Sequence, residues 1–214
     1  MAIEKKQSPR ERRRERTRQA ILLAAEALLA EGGLQNVTLA NIAHRAEYSK
    51  PALYEYFSGI EDILIDLSNL GFIRLGERIK AIDSSLSPEE RILAVCHAFI
   101  GFAADNSELY QLMSTHIIFT NIGLERDWPE LHKETQVAYF AAMEIIQDGI
   151  AQGVFKEWAN FDSGAMLYMC WVTLHGMVSL KRELVKEIGL DVDKYQKVMF
   201  KLLINNLKGC LPDA

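Results

Sequence analysis

The chain has 214 residues, of which 49% are hydrophobic and 25% charged, and its formal net charge is −5. It is long enough to bury one large core or two small ones, and the balance is that of a globular protein, neither disordered nor fibrous. Its three cysteines, Cys96, Cys170 and Cys210, have no paired spacing, which excludes a disulfide framework or cysteine-based zinc site and fits a reducing, cytoplasmic setting.

The charge is unevenly spread. Residues 1–58 hold ten Lys/Arg against seven Asp/Glu, whereas residues 59–214 hold 14 against 22. A basic end beside an acidic body points to a polyanion approached by that end alone. The N-terminus lacks the apolar run of a signal peptide. The stretch most like a membrane span, residues 165–180, falls short of the ~20 residues required and carries Thr173, His175 and Ser179, so it reads as a buried helix.

In chain order, "ERRRERTRQAILLAAEALLAEGG" carries a broad apolar stripe in strong helix formers and stops at Gly32-Gly33. Thr38 is placed to cap "LANIAHRA", with Leu39, Ile42, Ala43 and Ala46 facing inward. Ser49 is placed to cap a further helix of about two turns, "YSKPALYEYF", with Pro51 in the first turn, where a missing N–H costs nothing. Ala52, Leu53 and Phe57 point one way along it, and Lys50, Tyr54 and Glu55 lie largely elsewhere.

Two short helices joined by a tight turn and braced by a longer one make a helix-turn-helix. Small Ala43 lets the pair approach and Leu53 plugs the space between them. Such a pair presents the start of its second helix to base edges in a major groove about 12 Å wide. The DNA-facing candidates are Arg14, Arg18, Thr38, Ser49, Lys50, Pro51, Tyr54 and Tyr56, with hydroxyls and cations as donors to phosphate.

Residues 17–64 also resemble the DNA-binding domain of the TetR/AcrR family of bacterial transcriptional regulators. The resemblance rests on Thr17-Arg18-x-x-Ile21, the Gly32-Gly33 pair, Val37-Thr38-x-x-x-Ile42-Ala43, Ser49-Lys50-x-x-Leu53-Tyr54-x-Tyr56-Phe57 and Glu61-Asp62-x-Leu64. The motif "WVTLHG", 171–176, is similar to one in the penultimate helix of some members. The resemblance implies a homodimeric repressor released from its operator by a small ligand bound in the C-terminal domain. The chain departs from the family pattern at Glu47, where the turn usually has glycine, at Ile60 in place of a common lysine, and at acidic Glu55 inside the recognition helix.

The remainder reads as helices, giving an all-α fold of about nine. The expected division is a basic arm at 1–14, a DNA-binding domain at 15–75 and a helical ligand-binding and dimerisation domain at 76–214. Ser87, Pro88, Glu89 and Glu90 form a strong helix start, and Asp162 or Ser163 and then Asp191 cap the last two long helices. "NIGLERDWP", 121–129, reads as a loop.

The 165–180 helix is apolar nearly all round, with one stripe at Leu167, Trp171, Leu174 and Val178 and another at Ala165, Tyr168, Met169, Val172 and Gly176. One stripe serves the protein's own core; the other needs a partner, most simply the same helices of a second copy. The interface is expected at Leu167, Trp171, Leu174 and Val178. A homodimer reading two half-sites expects a palindromic duplex operator.

For an inducer, polar groups stranded in apolar helices mark the expected pocket: Phe99, Phe102, Tyr110, Met113, His116, Tyr139 and Met143. This lining suits a small, largely apolar molecule. The histidines lack ligand spacing, so no metal is expected, and no cofactor either. The absence of a phosphate-cradling loop, nucleophile elbow or paired-carboxylate motif argues against an enzyme. The alternative is an all-helical small-molecule-binding protein, or an enzyme without a recognisable catalytic motif.

Overall fold

The computed structural model describes residues 8–120, 135–158, 161–180 and 187–209, without the side chains of 115–120 and 135. Among these residues nine α-helices form: α1 Pro9–Gly32, α2 Leu39–Arg45, α3 Lys50–Leu53, α4 Ile60–Lys80, α5 Pro88–Asp105, α6 Ser107–Thr120, α7 Thr135–Ala151, α8 Ser163–Ser179 and α9 Val192–Leu207. The fold is all-α, as the periodicity predicts; an isolated bridge between Trp158 and Phe161 is the β pairing among the described residues. No described helix is long and apolar enough to cross a membrane. The expected loop at 121–129 lies outside the described residues.

Two expectations about element ends are corrected. Helix α1 begins at Pro9, so the segment read as an arm to residue 14 is helical from Pro9 onward. The reason is a capping box: Ser8 Oγ accepts from Glu11 N at 3.2 Å, and Ser8 N donates to the Glu11 carboxylate at 2.6 Å. That backbone N–H also holds the Glu11 carboxyl below the usual carboxylate range. Conversely, α3 is one turn where about two were expected. Beyond Leu53 the amides of Glu55 and Tyr56 bond three residues back, to Ala52 O and Leu53 O, so the helix tightens and ends.

The chain divides into two compact units. The first comprises residues 1–71 and 106–127, the second 72–105 and 128–214, so α4 begins in one and ends in the other. In the first unit, Ile21, Ala25, Leu28 and Leu29 of α1 meet Ile42 and Ala43 of α2, Leu53 of α3 and Ile63 and Leu67 of α4 in one buried core. Leu53 is 1% exposed and Ala43 4%, on two helices that pack on each other. Helix α6 joins this unit through α1, burying Leu109, Tyr110, Leu112 and Met113. Gly71 allows close approach there, since a Cβ would stand 2.4 Å from the Met113 sulfur.

In the second unit α5 packs on α7, α8 and α9, and α8 on α7 and α9. The core is built from Ile92, Phe99 and Phe102 of α5, Ile146 of α7, Met166 of α8 and Leu207 of α9. Two ion pairs rim it, Arg91–Asp148 and Lys208–Glu89, each at 2.5 Å. Cys96 and Cys170 are free and buried, and burial pushes both thiols up to about 12, which leaves them as inert filling.

Candidate nucleic-acid interface

The interface is built on two helix starts. Thr38 Oγ1 caps α2 by accepting from Asn41 N at 3.2 Å, and Ser49 Oγ caps α3 by accepting from Ala52 N at 3.3 Å. Each hydroxyl spends an acceptor in the cap and keeps an O–H to donate outward. Both residues are exposed, as are Lys50, Pro51 and Tyr54, the last at 58%. Of the eight DNA-facing candidates, these five are exposed at the caps of α2 and α3 and within α3.

The turn between α2 and α3 closes through Glu47 N to His44 O (3.3 Å) and Tyr48 N to Ala43 O (2.9 Å). That pair of bonds is the Schellman pattern, whose C′ residue must be left-handed. Glu47 occupies it with φ of 59°, the one non-glycine at positive φ among the described residues. Tyr48, beside the Ser49 cap, and His44, in the last turn of α2, are exposed as well.

Arg14, Arg18 and Tyr56 are placed differently. Tyr56 is half-buried. Arg14 Nη2 donates to Glu55 O at 3.1 Å, with its guanidinium 5.7 Å from the Tyr56 ring centre. Arg18 Nη1 donates to Tyr56 O at 3.0 Å, Nη2 pairs with the Asp66 carboxylate, and the guanidinium lies 4.4 Å over the Phe57 ring. The two arginines expected at phosphate are thus engaged at the end of the recognition segment, Arg14 exposed and Arg18 half-buried. Arg10, Arg13 and Arg16 stand exposed on the same helix. Arg45 is likewise occupied, bound to Glu31 through two bonds of 2.6 Å that tie α2 to α1.

Residues 21–67 match the family model for bacterial regulatory proteins, tetR family, and residues 92–204 match that for the tetracyclin repressor-like, C-terminal domain. The chain belongs to the TetR family. It is 24% identical over 102 residues to the uncharacterized HTH-type transcriptional regulator YobS of Bacillus subtilis, a match covering 47% of this chain. That match spans about half of YobS, 53% of its length. It is 24% identical over 168 residues to the HTH-type transcriptional activator FasR of Mycolicibacterium smegmatis, covering 78% of this chain and 69% of FasR.

Solved structures share the TetR fold over nearly the whole length. A protein of unknown function from Rhodococcus sp. RHA1 superposes with a TM-score of 0.72, covering 90% of this chain and 95% of its own, at 21% identity. RolR, in complex with its ligand resorcinol, superposes with a TM-score of 0.64, covering 92% of this chain and 89% of its own, at 17% identity.

The expected ligand-lining residues are distributed over both units. Phe99 and Phe102 of α5 and Met143 of α7 are buried in the second. Tyr110 and Met113 of α6 are buried in the first, where burial pushes the Tyr110 hydroxyl up to about 12. Tyr139 is 49% exposed and stands edge-to-face with Phe140 at 5.4 Å. The His116 side chain lies outside the described residues.

The expected interface set also divides. Leu167 and Leu174 are 8% and 3% exposed, because with Met166 and Cys170 they form the stripe that α8 turns to its own unit. Trp171 is exposed and Val178 half-buried. The outward side of α8 is instead Tyr168, Trp171 and Val172, and α9 adds Tyr195, Val198, Met199 and Leu202, all exposed.

Proposed function

We propose that this TetR-family chain is a ligand-responsive transcriptional regulator that binds duplex DNA as a homodimer. In its simplest form it is a repressor released from a palindromic operator by a small, largely apolar molecule. Residues 15–75 would read DNA, and 76–214 would bind ligand and pair two copies. The observation that carries this reading is the exposure of Thr38, Ser49, Lys50, Pro51 and Tyr54 on two packed helices with side-chain caps, together with exposed arginines along α1. A helix start with hydroxyl and ammonium donors is suited to phosphate and base edges together.

The apolar face on α8 and α9 supports a homodimer, since neighbouring helices of one unit both expose aromatic and aliphatic side chains there. The ligand response is supported by the apolar interior around Phe99, Phe102 and Met143 and by the kinship in fold with RolR, a resorcinol-bound protein. The sign of regulation is the finer point, because FasR is an activator.

An electrophoretic shift on randomised duplex DNA in low salt, followed by sequencing of the bound fraction, tests the core of the proposal. The expected result is an enriched palindrome, with no comparable shift of single-stranded RNA. Equal binding of both, or of neither, would remove the DNA-reading function. A reporter carrying the enriched site would then separate repression from activation.

A further inference from the structure

Resting on that DNA-reading proposal, we propose that Arg18, held by Asp66, and Arg14 one turn before it are positioning residues for recognition. They fix the carbonyl end of the recognition segment and do not meet phosphate themselves.

Helix α3 spans only Lys50–Leu53, and the tightened turn after it leaves the carbonyls of Glu55 and Tyr56 beyond the reach of further helical donors. Arg14 and Arg18, four apart and so on one side of α1, supply those donors to two consecutive carbonyls. Cations suit this place, since the C-terminal end of a helix carries partial negative charge. The Arg18 guanidinium is itself fixed three ways, by Tyr56 O, by Asp66 of α4 and by the Phe57 ring beneath it. Phe57 is buried, so this anchor is continuous with the core of the unit. The angle at which Lys50, Pro51 and Tyr54 face outward is thus tied through Arg18 to α1 and α4.

The sign of one substitution separates positioning from charge. Asp66→Asn removes a negative charge close to the DNA-facing surface, and charge alone would then tighten binding to any DNA. Positioning requires the opposite for the operator, because an amide holds the guanidinium less firmly than a carboxylate does.

The experiment compares wild type, Asp66→Asn, Arg18→Gln and Arg14→Gln in the full chain, on the selected operator and on scrambled duplex, across a salt series. Wild-type preference for the operator must be established first; its absence would sink the DNA-reading proposal and not this one alone. The expected result is operator affinity about tenfold lower for Asp66→Asn, Arg18→Gln and Arg14→Gln, with binding to scrambled duplex kept or raised by Asp66→Asn and little changed by the two arginine variants. The log–log salt slope should stay at the wild-type value, whereas loss of one phosphate contact flattens it by about 0.9. A purely structural role would lower operator and scrambled binding together and would overturn the proposal. Tighter operator binding by Asp66→Asn, or a flattened slope for Arg18→Gln, would overturn it too. Circular dichroism checks the fold. If either core-side variant unfolds, the exposed Arg14→Gln decides alone by the same two readouts.

Discussion

Phe155 folds back against Gly149 so closely that a Cβ on the glycine would stand 2.2 Å from the ring. The contact completes the end of α7. Gly153, at φ of 71°, donates from its N–H to Ile150 O, and Val154 N donates to Gly149 O, both at 2.9 Å. Phe155 is almost wholly buried and cannot yield. Gly149→Ala should therefore destabilise the protein by about 1–3 kcal/mol, the cost of overpacking, despite the better helix propensity of alanine. Thermal unfolding followed by circular dichroism would show it, and an unchanged midpoint would mean that Phe155 moves.

The same hydrogen-bond pattern ends α2, but with Glu47 where α7 has Gly153. A left-handed conformation costs an L-residue about 1–2 kcal/mol, and glycine gives back about 0.4–1 kcal/mol in unfolded-state entropy. Glu47→Gly should then stabilise by about 0.5–1 kcal/mol, raising the unfolding midpoint by about 1–4 °C. It should also tighten DNA binding modestly by removing a negative charge beside α3. A lower midpoint would show that the Glu47 side chain contributes more than its backbone strain costs.

Much of this was legible in the sequence. The caps at Thr38, Ser49, Asp162 and Asp191, the buried Leu53 and the strained turn at Glu47 all follow from local chemistry, which residue type and spacing carry directly. What was not legible depends on which neighbour a long side chain chooses. Arg14 and Arg18 read as phosphate ligands because their charge is visible and their partners, Glu55 O, Tyr56 O and Asp66, are some 40 residues away in the chain. The stripes of α8 failed for a related reason. A helix apolar nearly all round has no periodicity to say which side faces its own core, and only packing on α5, α7 and α9 assigns Leu167 and Leu174 inward.

That assignment sharpens the test of assembly. Trp171→Glu or Val198→Glu places a charge on the exposed face without touching the core of the unit. Each should sediment as a monomer, lose tight operator binding and keep its helical circular dichroism, because a charge buried unpaired between copies is costly. Leu174→Glu should instead lose helical signal outright, since that side chain is 3% exposed within its own unit. A wild-type monomer, or dimers unaffected by both face variants, would move the interface elsewhere.

Glu55 offers a test of how the operator is read. It follows Tyr54 directly and stands four residues after Pro51, on the exposed face of the recognition segment. Its backbone carbonyl takes the Arg14 bond, while its carboxylate has no hydrogen-bond or ion-pair partner among the described residues. An acidic group facing DNA is repelled by phosphate, so its useful partner is a base-edge donor, the N4 amino group of cytosine in the major groove. Sequences selected by the wild type should then show a cytosine preference at one position in each half-site. Glu55→Ala should relax that position alone, with a loss of discrimination of roughly 1–3 kcal/mol, about 5- to 150-fold. Glu55→Gln should shift it toward adenine, which presents a donor and an acceptor to an amide. If Glu55→Ala instead tightens binding to every sequence by one factor and leaves the selected palindrome unchanged, the carboxylate only repels phosphate and reads nothing.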